Sequence, residues 1–298
     1  MDITRLHTST GHRSALYTLA PGPAARQVYS AGGDGWIVKW NLDAPDEGEV
    51  IATAETQVFS LYAFPDGKRL VAGNMNGGVH WIDLEQPDQT RNVQQHQKGV
   101  FDIQVCGQWL YTAGGEGTLT RWDPECMRAT ESYRLSNQAL RCIALSPLRR
   151  EMAIGSSNGA IYLLDSETLA LKNTLPAAHA LSVFSLAYSP DQRRLFSGGR
   201  DAMLRVWDLE HDLSLVSEQA AHWYTINHIV FSPDQRWMAT ASRDKTIRIW
   251  DAGSVKPLFT LDTIRFGGHL NSVNRLLWID DCLVSASDDR TMIIWNVE

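Results

Sequence analysis

Apolar and polar residues alternate along this chain in short runs, and one composite run recurs seven times at a spacing of about 40 to 45 residues. The copies read SAGGDGWIVKW ending at Trp40, VAGNMNGGVHWI at Ile82, TAGGEGTLTRW at Trp122, IGSSNGAIYLL at Leu164, SGGRDAMLRVW at Trp207, TASRDKTIRIW at Trp250 and SASDDRTMIIW at Trp295. Each repeat separates into four strands. In the sixth these are INHIVF, MATAS, IRIW and KPLFTL, divided by the turns SPDQRW, RDKT and DAGSV. Helical periodicity is absent throughout, and no Gly-, Ser- or Pro-rich run marks a linker. The segment LDAPDEGEV after Trp40 reads as an enlarged loop.

Seven four-stranded sheets arranged around an axis form an all-β propeller, a single body where 298 residues would otherwise suggest about two domains. The spacing sets blades at about 11–53, 54–95, 96–135, 136–178, 179–221, 222–266 and 267–298. The final run, TMIIWNVE, stops just after the third strand of the seventh repeat. Residues 1–8 are positioned to supply the missing outermost strand, closing the ring and covering an edge that would otherwise invite aggregation.

Composition narrows the class. Hydrophobic residues make up 44% of the chain, ample for a continuous core, yet no segment has the roughly 18 uninterrupted apolar residues of a membrane helix. The opening MDITRLHTSTGH has no basic stretch followed by an apolar one, so no secretion signal is read there. Cys106, Cys126, Cys142 and Cys282 have no CxxC spacing and are expected as free thiols in a reducing compartment. A soluble, intracellular protein is expected, cytoplasmic in the first place, with a nuclear location compatible.

Five repeats carry the same four polar or aromatic positions: His12, Ser30, Asp34 and Trp40; His96, Thr112, Glu116 and Trp122; His179, Ser197, Asp201 and Trp207; His222, Thr240, Asp244 and Trp250; His269, Ser285, Asp289 and Trp295. The hydroxyl precedes the acid by four residues and the acid precedes the Trp by six in all five. In this pattern the chain resembles the WD40-repeat β-propellers over essentially its whole length. The resemblance implies a hydrogen-bonded tetrad in each matching blade, in which every buried polar group finds a partner. Repeat two offers Ala54, Ala72, Asn76 and Ile82 at these positions, and repeat four Ser136, Ile154, Asn158 and Leu164. There the network is expected to be replaced as a whole by apolar contacts.

Five His-Ser/Thr-acid sets spread around a ring, each beside a Trp, are structural rather than catalytic triads. The remaining His7, His80, His211 and His228 show no ligand spacing, and neither GxxxxGK[ST] nor HExxH occurs. No catalytic residue, metal or cofactor is expected. The glycines of GGDG and GGEG serve tight turns.

Function is sought where the repeats differ. Five places after the tetrad His position, at the mouth of the channel on the top face, stand Tyr17, Phe59, Phe101, Arg141, Phe184, Asn227 and Asn274. Arg200 and Arg243 precede tetrad acids, and with Lys245, Arg265 and Arg290 they form a basic arc over repeats five to seven. The loop LDTIRFGGH adds Ile264 and Phe266, while acids such as Asp43, Asp46, Glu49, Glu85, Asp208 and Glu210 gather in the bottom turns. The net charge of −7 thus conceals a polarised molecule. The reading is a non-catalytic scaffold whose top face holds a peptide or loop of a protein partner with apolar and acidic side chains. Alternatives are an aromatic-cage reader of methylated lysine and, in a different class, an enzyme or small-ligand binder at the channel mouth. Negative charge and a short basic arc argue against nucleic acid.

Overall fold

The computed structural model describes residues 2–298, which form seven four-stranded antiparallel sheets around a central axis. In six sheets the strands follow chain order outward from the channel. Blade six, for example, runs Ile226–Phe231, Trp237–Ser242, Ile247–Asp251 and Pro257–Leu261. The seventh joins both ends of the chain, in the order Ile3–Ser9, Met292–Val297, Cys282–Ser287, Val273–Ile279. Its closing ladder pairs Ile3 with Val297 and Ser9 with Met292, with a bulge between Arg5 and His7. Asp2 and Glu298 exchange backbone hydrogen bonds of 2.8 and 3.0 Å, and Arg5 Nη1 donates to Gly267 O at 2.8 Å.

The burial pattern explains the sequence pattern. The second strand of each blade is covered on both faces, so it reads as a continuous run of small and apolar residues such as LVAGN, LYTAG and MAIGS. The core is divided into seven clusters, each lying between adjacent blades. Between blades five and six, for instance, Phe196, Leu204 and Val206 meet Ile226, Ile229 and Met238. Close approach sets residue size there. A Cβ on Gly73 would stand 2.6 Å from Val100 Cγ1, and one on Gly198 2.6 Å from Ile226 Cγ2, so the innermost strand of the next blade leaves no room. The turn after each second strand needs a left-handed residue at one fixed place. Gly35, Gly77, Gly117 and Gly159 supply it in blades one to four, and Ala202, Lys245 and Arg290 adopt it in the others.

Three expectations are corrected. LDAPDEGEV is not an enlarged loop: after a tight turn, Ala44–Thr53 is a ten-residue outermost strand. As an edge strand it is mostly solvent-facing, so its polar composition does not oppose pairing, and Gly48 lies against the Trp40 ring. Helical structure is not wholly absent, because Thr263–Phe266 makes one α-helical turn capped by Asp262, and Pro87–Gln89 a 3-10 turn.

Blades two and four are not purely apolar at the substituted network. In blade two Asn74 Nδ2 donates to buried His80 Nε2 at 2.8 Å, while Asn74 Oδ1 accepts from the amides of Asn76 and Gly78. In blade four the Ser156 hydroxyl meets Ser136 Oγ at 3.2 Å. The top turns still present backbone donors, and shorter side chains supply the acceptors.

Removing residues 1–8 takes away the outer strand of blade seven and the buried Ile3. The melting temperature is expected to fall by about 5 °C or more. A truncated protein melting within about a degree of the parent would contradict this role.

Candidate functional site

The tetrads fix the top face. An indole N–H only donates, so Trp250 Nε1 gives its proton to Thr240 Oγ1 at 2.9 Å. The Thr240 hydroxyl then donates to His222 Nε2 at 2.8 Å, and His222 Nδ1 donates to Asp244 Oδ2 at 2.9 Å. Blade one repeats the chain through Trp40, Ser30, His12 and Asp34 at 2.8, 2.8 and 2.9 Å. Blade five does so through Trp207, Ser197, His179 and Asp201. Blade seven uses Trp295, Ser285, His269 and Asp289, and blade three Trp122, Thr112, His96 and Glu116.

The protonation states follow from this direction of donation. Burial holds His12 and His222 below the ordinary imidazole range, outweighing the neighbouring Asp34 and Asp244. Burial pushes the carboxyls of Asp201, Asp244 and Asp289 up, but donation from their histidines brings each well below the usual carboxylate range. In the His222–Asp244 pair the result is neutral imidazole against ionised carboxylate.

Each of the four aspartates has a second task. Asp34 Oδ2 accepts the amide of Arg13 at 2.9 Å, Asp201 that of Ala180 at 3.2 Å, Asp244 that of Trp223 at 3.0 Å and Asp289 that of Leu270 at 2.8 Å. The residue following the histidine is thereby held at the rim with its side chain outward. Trp223 is 85% exposed and Leu270 64%. Tyr224 and Leu181 are exposed in the same loops, and Ile264, 95% exposed, stands on the helical turn between blades six and seven. Sequence reading passed over Trp223, Tyr224, Leu181 and Leu270. The available signal is a large apolar residue directly after His222 and His269, where repeats one to four have Arg13, Glu55, Gln97 and Asn137 and repeat five the small Ala180.

Charge follows the same arc. Arg200, Arg243, Lys245 and Arg290 are exposed, and among the described residues they form no salt bridge. Arg265 differs, since its guanidinium pairs with Asp262 at 2.8 Å; Phe266 turns inward onto the core between blades six and seven. The bottom face is less uniformly acidic than expected. Asp43, Asp46, Glu49, Glu85, Asp208 and Glu210 pair with Arg26, His7, Lys39, Lys68, His211 and Arg193.

At the channel mouth, Tyr17, Phe59, Phe101, Arg141, Phe184, Asn227 and Asn274 come together, with Arg275, around a cavity of about 210 Å³. All seven are half-buried, and Tyr17, Phe59, Phe101, Arg141 and Phe184 stack in one continuous row. Ring centroids lie 5.2 Å apart for Tyr17 and Phe59 and 5.3 Å for Phe59 and Phe101. The Arg141 guanidinium then sits 4.1 Å from the Phe101 ring and 5.2 Å from that of Phe184. Asn227 Nδ2 donates to Val273 O at 2.8 Å, and Asn274 Nδ2 to Leu16 O at 2.7 Å, stitching blade six to seven and seven to one. Two aromatic faces that a methylated lysine would need are already covered by a cation of the protein itself.

Beneath the mouth lie Asp102 and Arg275, which sequence reading does not single out, and His228. Asp102 Oδ2 accepts the Ile143 amide at 2.8 Å, and Arg275 Nη2 approaches Asp102 Oδ1 to 3.9 Å across the channel. Burial pushes the Asp102 carboxyl up, opposed by Arg275, and holds His228 well below the imidazole range.

The family profile described as "WD domain, G-beta repeat" matches residues 3–41, 170–208, 213–251 and 256–296. The protein LST8 homolog of Drosophila melanogaster is 29% identical over 170 residues, covering 53% of this chain and 53% of its own. The WD repeat-containing protein 26 homolog of Arabidopsis thaliana is 25% identical over 167 residues, covering 53% of this chain and 28% of its own. Eukaryotic translation initiation factor 3 subunit I of Nematostella vectensis is 26% identical over 101 residues, covering 33% and 31%. The matched region thus spans about half or less of the length of these relatives. The crystal structure of the WD40 β-propeller domain of Doa1 superposes with a TM-score of 0.86 at 17% identity, covering 99% of this chain and 97% of that one, and so shares the fold.

Replacing Thr240 by Val strands both His222 Nε2 and Trp250 Nε1. A loss of about 1–3 kcal/mol in chemical denaturation is expected, and a change under about 0.5 kcal/mol would contradict the tetrad's energetic role. Acid sensitivity follows from the depressed values. His12 and His222 bind protons more readily unfolded, so their contribution is complete above about pH 6.5 and is lost as pH falls below it. Asp201, Asp244 and Asp289 add a further loss only below about pH 4. The melting temperature is expected to drop between about pH 7 and pH 5, and a flat profile there would contradict it.

Proposed function

For a chain that belongs to the WD40 repeat family, we propose the role of a non-catalytic interaction scaffold that holds a segment of a protein partner on its top face. The observation that carries this reading is the rim of blades five to seven, where Trp223 is 85% exposed although its backbone is held by Asp244. A large aromatic side chain held in solvent from an ordered loop is a contact residue awaiting a surface. Tyr224, Ile264, Leu270 and Leu181 extend it as apolar anchors. Arg200, Arg243, Lys245 and Arg290 stand among them without counter-ions among the described residues, which suits a partner with acidic residues flanking apolar ones.

This placement moves the apolar anchors outward from the channel mouth. Tyr17, Phe59, Phe101 and Phe184 form the floor of the face, and Asn227 and Asn274 hold its blades together. Two relatives bear the names of subunits, of the target of rapamycin complex and of eukaryotic translation initiation factor 3, which supports work within an assembly.

Affinity capture from the source organism's lysate tests the proposal. The parent is compared with a Trp223→Ala, Arg243→Glu variant, whose changes lie outside the core and whose folding is verified by melting. A protein retained by the parent and reduced at least about tenfold by the variant is the expected result. Equal capture by both would remove the rim from the interface.

A further inference from the structure

A second concavity on the top face lies between blades three, four and five, beside the channel mouth, with a volume of about 460 Å³. Its walls carry Lys98, Arg141 and Arg200 together with Asn137, Gln138 and Ser157, and no acidic residue lines it. In a chain of net charge −7, three cations converging on one pocket without a carboxylate are an unbalanced arrangement. The acids next in sequence to its lining residues are engaged elsewhere: Asp102 by the Ile143 amide, Glu116 by His96, and Asp201 by His179 with Arg205.

The donors are free to act on a ligand. Arg141 Nε donates to Ser157 Oγ at 2.8 Å, which fixes the plane of the guanidinium on the Phe101 and Phe184 rings. Its terminal nitrogens have no acceptor among the described residues, nor have the Lys98 ammonium and the Arg200 guanidinium. Because Ser157 Oγ accepts from Arg141, its own proton remains available to donate. Burial pushes the Arg141 guanidinium down, Cys142 opposes this, and the like charge of Arg200 adds to the lowering.

We propose that this pocket binds a phosphate group carried on a serine or threonine side chain of the partner. A lone carboxylate is satisfied by one bidentate arginine, whereas a phosphoryl group, with close to two charges and three acceptor oxygens, uses three cations and the hydroxyl and amide donors around them. The pocket is also larger than a carboxylate requires. The inference rests on the top face being the partner's side of the molecule and adds the modification state of that partner.

The test is calorimetric titration of the full chain at low salt with N-acetyl-O-phosphoserine amide. Comparison ligands are N-acetylglutamate amide, inorganic phosphate, and phosphatidylcholine vesicles containing a phosphatidylinositol phosphate. Saturable binding of the phosphoserine derivative is expected, weakened about tenfold by Lys98→Ala or by Arg200→Ala and diminished by added salt. Both residues are exposed, so neither substitution opens the core. The proposal is overturned by absence of saturable binding, by equal affinity for the glutamate derivative, or by indifference to both substitutions. It is likewise overturned if vesicles or inorganic phosphate bind while the phosphoserine derivative does not. Partner capture through Trp223 without phosphoserine binding removes this pocket alone; phosphoserine binding without capture removes the scaffold reading alone.

Discussion

A one-way hydrogen bond governs much of this molecule. The indole of the third-strand Trp has a proton to give and no lone pair to offer, so the hydroxyl beside it must pass its own proton on to the imidazole. The imidazole then presents its N–H to a carboxylate. With one direction of donation, the tautomer, the charge state and the rotamers are fixed together, deep inside a sheet where an unpartnered group would be costly. The carboxylate at the end of that chain keeps lone pairs free for the loop outside. Buried polar order is thereby converted into the position of Arg13, Ala180, Trp223 and Leu270 on the surface.

Packing makes the second constraint. Each blade is only one sheet thick, so its hydrophobic surface is buried by its neighbours and the core exists as seven interfaces. None is complete unless the ring closes, which explains why Ile3 belongs to the same cluster as Trp295 and Val297. It also explains why the site following the tetrad hydroxyl is Ala or Gly in every repeat, from Ala31 to Ala286. A rigid closed ring gives the top-face loops a fixed frame, and differences among those loops then confer recognition.

The period and the seven mouth residues are legible from spacing alone, and the tetrads through the resemblance to the WD40 propellers that their spacing carries. Tyr17 through Asn274 meet around one cavity since equivalent positions in a ring must face the same axis. Interactions between repeats were not legible. Nothing in the sequence says that Arg141 lies across Phe101 and Phe184, or that Asn74 and His80 replace a lost network, because those partners sit on neighbouring strands or blades. The segment LDAPDEGEV reads as a loop because the edge strand that most of it enters, Ala44–Thr53, needs no apolar alternation. Trp223 was passed over since a Trp in a core-rich sequence looks like every other Trp until its exposure is known.

Amide hydrogen exchange at Trp223 in an Asp244→Ala variant tests most directly whether the buried tetrad holds the recognition rim. The account predicts that protection of the Trp223 amide falls about ten- to a hundredfold, the worth of a hydrogen bond to a charged acceptor, while the Gly115 and Gly117 amides of blade three keep theirs. Unchanged protection at Trp223, or an equal loss in blade three, would contradict it.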